Sequence, residues 1–183
     1  MRSRREPDVR ERDETGAVIV EFALVVPLLL MLLLGVVTVG ITYSHANGLT
    51  NAVREGSRFG ATADASSSVS SAWADDVISQ VRATQFDDPS KVTTVCVQLW
   101  KIGTGAVAGT GKCATSAGGP SLTLPGSAAA SPPVPSSPTG SCVVRVIAAR
   151  KFKINIGLTS WDKVFISSSI ARYERRDKVP SCL

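Results

Sequence analysis

A run of 20 residues without a charge, from Phe22 to Ile41, restricts this chain more than any other feature of its sequence. At a rise of about 1.5 Å per residue, a helix of that length matches the roughly 30 Å hydrocarbon core of a bilayer. A cleaved secretory signal has a shorter apolar region, about 7–15 residues, followed closely by an A-x-A-like site. The nearest such pattern, at residues 61–63, lies 20 residues beyond the run. The sequence therefore predicts an uncleaved hydrophobic anchor that crosses the membrane at about residues 22–41.

Arginine predominates on the N-terminal side of this run. Five arginines precede it, whereas only Arg54 and Arg58 follow it up to residue 60. Because basic residues are retained on the cytoplasmic side, we expect a cytoplasmic N-terminus and an exported C-terminal part. Residues 1–16 also contain five acids that balance the arginines, so we expect this leader to be a solvated, disordered tail.

The chain has four cysteines and one histidine, a combination that favours disulfides over a metal site in an exported domain. No two cysteines form a C-x-x-C pair, and the histidine, His45, lies just past the apolar run, so no metal site is expected. Three pairings into two disulfides are open. We favour Cys113 with Cys142, which closes a long loop, and Cys96 with Cys182, which holds the C-terminus.

The helical pattern continues past the membrane. Residues 42–63 contain no proline, and their apolar residues recur every three or four positions, so we predict one long helix over residues 17–63. Small residues stand at strict four-residue spacing along it, although each glycine weakens an isolated helix by up to about 1 kcal/mol. Either the emerging helix is weak there, or the small residues let neighbouring helices pack closely. These residues are Gly40, Ser44, Gly48, Ala52, Gly56 and Gly60.

Residues 64–183 have the pattern of a small exported α+β domain. Apolar residues recur every four positions from Val69 to Val81, which predicts a short amphipathic helix ending at a turn near residues 87–89. Three segments then show strand patterns, the first with alternating apolar residues between Val95 and Leu99. We expect a small antiparallel sheet of about three strands covered by helix. The strand segments are residues 91–101, 142–155 and 165–174.

The segment between the first two strands, residues 103–141, is rich in Gly, Ala, Ser and Pro. No periodicity is present in it, and its composition predicts a mobile loop. The functional alternative is a recognition loop on the surface of the domain.

The sequence contains no motif for nucleophilic catalysis, phosphate binding or dinucleotide binding, so we expect no enzymatic activity and no cofactor. A cluster of basic residues is interpreted as a solvated face or a contact with anionic envelope polymers, because an exported domain does not meet nucleic acid. The cluster comprises Lys151, Lys153, Arg172, Arg175 and Arg176.

The segment GAVIVEFALVVPLLLMLLLG, residues 16–35, places a carboxylate, Glu21, at the edge of the apolar run. A charge inside a membrane costs about 2.5–3.5 kcal/mol on insertion scales, so it normally has a specific partner. With LTNAVREGSRFGA (residues 49–61) and SSSIARYE (residues 167–174), this segment resembles the TadE-like family. That family comprises minor pilins or pseudopilins of the tight-adherence, Flp-type, type IV pilus system.

The resemblance implies a pilin-like α+β fold and processing by a prepilin peptidase between Gly16 and Ala17. Glu21 would then be the fifth residue of the mature chain and would pair with the N-terminal ammonium of a neighbouring subunit. The implied partners are the peptidase, other pilin subunits, the inner-membrane pilus assembly platform and membrane lipid.

Two functions follow from these expectations. The first is a structural or priming component of a tight-adherence pilus, held by a single pass in the bacterial cytoplasmic membrane and able to enter a surface pilus. The second is an uncleaved, membrane-anchored binding module whose exported domain recognises a ligand.

Overall fold

A single helix of 54 residues, α1 (Val9–Thr62), dominates the computed structural model of the protein. The structure describes residues 9–65, 70–84, 93–122, 124, 140–156, 159–175, 179 and 182. The segment of α1 from Gly16 to Thr62 is long and apolar enough to cross a membrane. The predicted long helix is therefore confirmed, and its length and hydropathy are sufficient for a membrane span.

The N-terminal end of α1 corrects one expectation. The helix begins at Val9, so the second half of the leader continues the helix and is not a disordered tail. Arginine and glutamate, which are abundant there, are good helix formers, and adding residues to an existing helix is much easier than nucleating one. The first eight residues lie outside the described part of the chain.

A five-stranded sheet follows a second helix, α2 (Ser70–Ala83). All the described strand pairs are antiparallel, and the order across the sheet is β2, β1, β4, β5, with β3 also on β1. The three predicted strands are present as β1, β4 and β5, so the α+β fold is confirmed. The strands are β1 (Thr93–Lys101), β2 (Gly105–Ala106), β3 (Lys112–Thr115), β4 (Cys142–Ile156) and β5 (Thr159–Arg172).

Strands β4 and β5 form a long hairpin. Strand β5 begins at Thr159, six residues before the predicted start, so the hairpin is longer than the sequence pattern predicted. Their register joins Val143 to Arg172 at one end and Ile156 to Thr159 at the other. Residues 157–158, between the two strands, lie outside the described residues. The hairpin therefore extends well beyond the part of the sheet that β1 covers, since β1 pairs with β4 only as far as Arg150.

The two shortest strands, β2 and β3, lie in the segment predicted to be a mobile loop. Residues 123 and 125–139 of that segment are outside the described part of the chain, so its mobility stays a prediction. The first part of the segment, which contains β2 and β3, pairs with β1. Cys96 faces Cys113 in the register of β1 and β3.

The main core lies between one face of the sheet and the two helices. Trp73, Val77 and Val81 of α2 are buried, as the four-residue repeat predicts, and they pack with Val95 and Val97 of β1 in the same cluster. Val69 lies outside the described residues. Removing apolar area from water stabilises a fold by about 25 cal/mol per Å². This buried cluster is therefore the main source of stability of the domain.

Strand β1 is buried on both faces, whereas its alternating pattern predicted a half-buried strand. Trp100 and Cys96, on the face away from the helices, are fully buried. Thr94 on that face donates a hydrogen bond to the carbonyl oxygen of Pro120, so residues after β1 return over it. The sequence did not show this cover because the covering segment has no periodic pattern.

The disulfides correct the favoured pairing. The structure joins Cys96 to Cys113 and Cys142 to Cys182, not Cys113 to Cys142 and Cys96 to Cys182. The reason is strand order: β3 lies beside β1 and brings the first two cysteines into register. Among the described residues no cysteine is left free.

Candidate functional site

The predicted processing segment lies on the exposed N-terminal half of α1. Gly16, Ala17 and Glu21 are all exposed, and a Cβ atom added at Gly16 meets no other atom within 4 Å. Ala17 and Glu21 are four residues apart, which places them on the same face of the helix, one turn from each other. No ion pair to Glu21 is formed by any residue that the structure describes.

Glu21 is surrounded by apolar side chains that are themselves exposed. It is the only Asp, Glu, Lys or Arg between Gly16 and Val53. Phe22 and Leu24, its near neighbours, are 69% and 74% exposed. Water is a poor solvent for so large an apolar surface, and exposed patches of this size mark contact with lipid or with other chains.

The structure divides the predicted ridge of small residues into two halves. Gly40 and Gly48 meet no atom within 4 Å of an added Cβ, and Ser44 is exposed. This half of the ridge is open, and its use by neighbouring helices stays a prediction.

The other half of the ridge packs inside the chain. Ala52 is buried, and a Cβ atom added at Gly56 would overlap the side chain of Val81 on α2. One added at Gly60 would lie 3.0 Å from side-chain atoms of Val77 and Val144. These glycines therefore let α2 and the sheet approach the backbone of α1.

The two other segments that carry the family resemblance meet each other in the fold. Ser169 of β5 lies 2.9 Å, oxygen to oxygen, from Ser57 of α1, and the Ser167 hydroxyl donates to the Thr50 hydroxyl at 3.3 Å. Beside them, the backbone N–H of residue 65 donates to the Tyr173 hydroxyl at 3.0 Å in a buried contact. We call this polar contact, formed by these six residues, the α1–β5 junction.

Sequence reasoning missed the α1–β5 junction, although a signal was present. Serine at alternate positions, Ser167 and Ser169, marks one face of a strand. A hydroxyl on a strand face turned toward a helix needs a partner there, and the partners are hydroxyls of α1.

The predicted basic cluster is not one cluster. In the hairpin register Lys153 faces Asp162, whereas Arg172 lies ten residues farther along β5, about 33 Å away at 3.3 Å per residue. Lys151 forms an ion pair with Asp162 at 2.8 Å. Arg176 lies outside the described residues.

An apolar groove of about 410 Å³ lies between α1 and the free end of the β4–β5 hairpin. Phe152 of the hairpin stacks on His45 with ring centroids 5.2 Å apart, which fixes the hairpin against the helix. We call this feature the hairpin groove. It is lined by Gly35, Thr38, Val39, Thr42, Tyr43, Ala46, Ile154, Trp161 and Phe165.

Comparison with known proteins adds one result. A family model described as TadE-like protein matches residues 16–58, which confirms the resemblance inferred from the sequence over those residues, whereas the segment of residues 167–174 lies outside the match. The match begins at Gly16 and ends within the buried part of the small-residue ridge. No curated protein and no solved structure matches the chain.

Proposed function

We propose that this chain, which matches the TadE-like family over residues 16–58, is a minor pilin or pseudopilin that helps build or prime a tight-adherence type IV pilus. A prepilin peptidase removes the leader after Gly16. The observation that most supports this function is the single carboxylate, Glu21, on an otherwise uncharged and exposed apolar helix.

The role of Glu21 follows from the cost of its charge. A buried charge is tolerated only when it is matched by an opposite charge or by hydrogen bonds. Cleavage after Gly16 creates an α-amino group on Ala17, whose ordinary pKa of about 7.7–8.0 keeps it cationic at neutral pH. Pairing of this ammonium with Glu21 of a neighbouring subunit neutralises both groups in lipid and selects one register between the helices.

The rest of α1 supports assembly. Its apolar surface is exposed between Val18 and Tyr43, and the open half of the small-residue ridge begins on the same stretch of helix. Small residues allow close packing between helices in an apolar environment, where burial of apolar area gives no net drive. Neighbouring subunits are the partners that fit this surface, and the assembly platform would deliver them.

Replacing Glu21 with Gln tests this function. The variant keeps the length and shape of the side chain but removes its charge, so cleavage after Gly16 should continue while incorporation into the pilus apparatus falls at least tenfold. Mass spectrometry of the N-terminus measures the first quantity, and immunoblotting of sheared pili and assembly complexes measures the second. Glu55→Gln is the matched control, because Glu55 is exposed on the same helix but outside the apolar run. Normal incorporation of the Glu21→Gln variant would contradict the proposal.

A second candidate is the uncleaved, membrane-anchored binding module. It is favoured by the continuity of α1 from Val9 through Gly16, because a peptidase must unwind a helix before it cleaves it. The N-terminus of the protein isolated from its cell envelope discriminates the two. A chain that begins at Ala17 supports the pilin-like subunit, and a chain that retains its leader supports the binding module.

A further inference from the structure

The hairpin groove lies at the level where α1 leaves the predicted membrane span. Gly35 and Val39 belong to the span of residues 22–41, and they line the groove together with Ile154 and Trp161 of the hairpin. Ile154 and Trp161 are direct neighbours across the two strands. Ile154 and Trp161 therefore bring the hairpin to the end of the predicted span from the domain side.

Of the three tryptophans, all of which the structure describes, Trp161 alone is exposed. Trp73 and Trp100 are 2% and 0% exposed, whereas Trp161 is 47% exposed. Tyr43, on the helix side of the same groove, is 68% exposed. Tryptophan and tyrosine at the end of a membrane span are typical of the interface between hydrocarbon and headgroups, where an apolar ring carries a polar edge.

Lysines flank these aromatic side chains. Lys153 and Lys163 are exposed near the free end of the hairpin. Asp162, the acid beside them, is held by Lys151 at 2.8 Å. Within the part of the chain that the structure describes, no ion pair uses Lys153 or Lys163, so both ammonium groups are available to anionic headgroups. Basic residues near a membrane surface are attracted to anionic lipid.

From this placement we infer that the part of the β4–β5 hairpin that carries Lys153, Trp161 and Lys163 docks on an anionic bilayer, with Trp161 in the interface and the two lysines on lipid phosphates. The hairpin then holds the exported domain at a defined height and tilt on the membrane. This inference rests on membrane insertion of α1, which is part of the proposed function, but not on cleavage or pilus assembly.

Tryptophan fluorescence of the full chain in lipid nanodiscs tests the docking. The apolar span contains no tryptophan, so quenching by lipids brominated on their acyl chains reports on the domain alone. Trp73 packs at Gly60, 19 residues past Ile41 and about 28 Å farther along the helix, beyond reach of the acyl chains. In nanodiscs of phosphatidylcholine with about one third phosphatidylglycerol, part of the emission should be quenched, and Trp161→Phe should abolish that part.

Trp100→Phe is the matched control, since Trp100 is buried in the sheet and its loss should leave the quenched part in place. The Lys153→Gln/Lys163→Gln variant should lose at least half of the difference in quenching between anionic and purely zwitterionic nanodiscs. Arg172→Gln/Arg175→Gln makes the same change of charge at exposed residues away from the free end and should retain that difference.

Two outcomes overturn the inference. One is equal quenching of the wild-type protein and Trp161→Phe, and the other is an absence of quenching in protein that co-elutes with the nanodisc. The second result would indicate that the hairpin groove contacts something other than lipid, such as the helix of a neighbouring subunit. Co-elution itself reports insertion of α1, so failure of the docking is distinguished from failure of the membrane anchor.

Discussion

Gly56 and Gly48 show how one residue type serves two purposes on the same helix. At Gly56 the missing side chain leaves room for Val81, which is fully buried. At Gly48 there is no atom within 4 Å of an added Cβ, and the position belongs to the open half of the ridge. Glycine lowers helix stability at both positions, but only at Gly56 does tertiary packing of this chain offset that cost.

Alanine at these two positions should change stability in opposite directions. Gly56→Ala forces Val81 to move, and overpacking of this kind costs about 1–3 kcal/mol against a gain of about 1 kcal/mol in helix propensity. We expect a net loss of up to about 2 kcal/mol. Gly48→Ala meets open space and should gain up to about 1 kcal/mol.

Urea unfolding of the full chain in detergent micelles, followed by near-ultraviolet circular dichroism, measures both variants. The buried Trp73 lies beside Gly60 and provides the signal. A Gly56→Ala variant that is more stable than the Gly48→Ala variant would contradict this prediction. It would show that the side chain of Val81 can make room for the added methyl group without loss of stability.

At the scale of elements, the C-terminal end of α1 is completed by other parts of the chain. A helix leaves its last carbonyl groups without intrahelical partners. The Gly60 carbonyl accepts a hydrogen bond from the Trp73 indole at 3.1 Å, and the Ala61 carbonyl accepts one from the backbone N–H of Glu174 at 3.0 Å. The helix therefore ends where α2 and the segment following β5 supply donors, and the α1–β5 junction holds those donors in place.

Tyr173→Phe tests the α1–β5 junction. The substitution removes the hydroxyl that accepts the hydrogen bond of Ala65, and Ala65 is 2% exposed. An unsatisfied buried N–H costs about 1–3 kcal/mol, so the free energy of unfolding should fall by that amount. Tyr43→Phe is the matched control, because Tyr43 is the other tyrosine of the chain and is 68% exposed. An equal effect of the two substitutions would contradict the importance of the junction.

The whole molecule has two parts with different surfaces. The first half of α1 exposes apolar side chains suited to lipid, whereas the second half is part of a packed α+β domain. The domain depends on a modest core, and two disulfides supplement it. Cys142–Cys182 joins the start of β4 to a residue next to the C-terminus.

Removal of the Cys142–Cys182 disulfide by a double serine variant should lower the free energy of unfolding by about 2–5 kcal/mol. The loss should exceed that for Cys96–Cys113 by about 0.7 kcal/mol in the loop-entropy model. The sequence separations are 40 and 17 residues, and the longer loop gains more freedom when it is opened. Urea unfolding of the full chain in micelles compares the two double variants, and peptide mapping without reductant verifies the pairing. A larger loss for Cys96–Cys113 would contradict the loop-length argument.

Several features of the fold were predictable because they depend on short stretches of chain. The uncharged run of residues 22–41 predicted the membrane-capable helix, and the repeat through Val77 and Val81 predicted the buried face of α2. Alternation between Val95 and Leu99 predicted the core face of β1. For the candidate site, the segment from Gly16 to Glu21 was recognisable because its residues are neighbours in sequence.

The sequence by itself determined the long, membrane-capable apolar helix and the strand patterns, because hydropathy and periodicity act locally. Only the tertiary structure decided the disulfide pairing, the division of the small-residue ridge between α2 and open surface, and the approach of Trp161 to the end of the span. These features depend on which segments become neighbours when β3 pairs with β1 and the β4–β5 hairpin packs on α1. Residues far apart in the chain carry no local signal of that proximity.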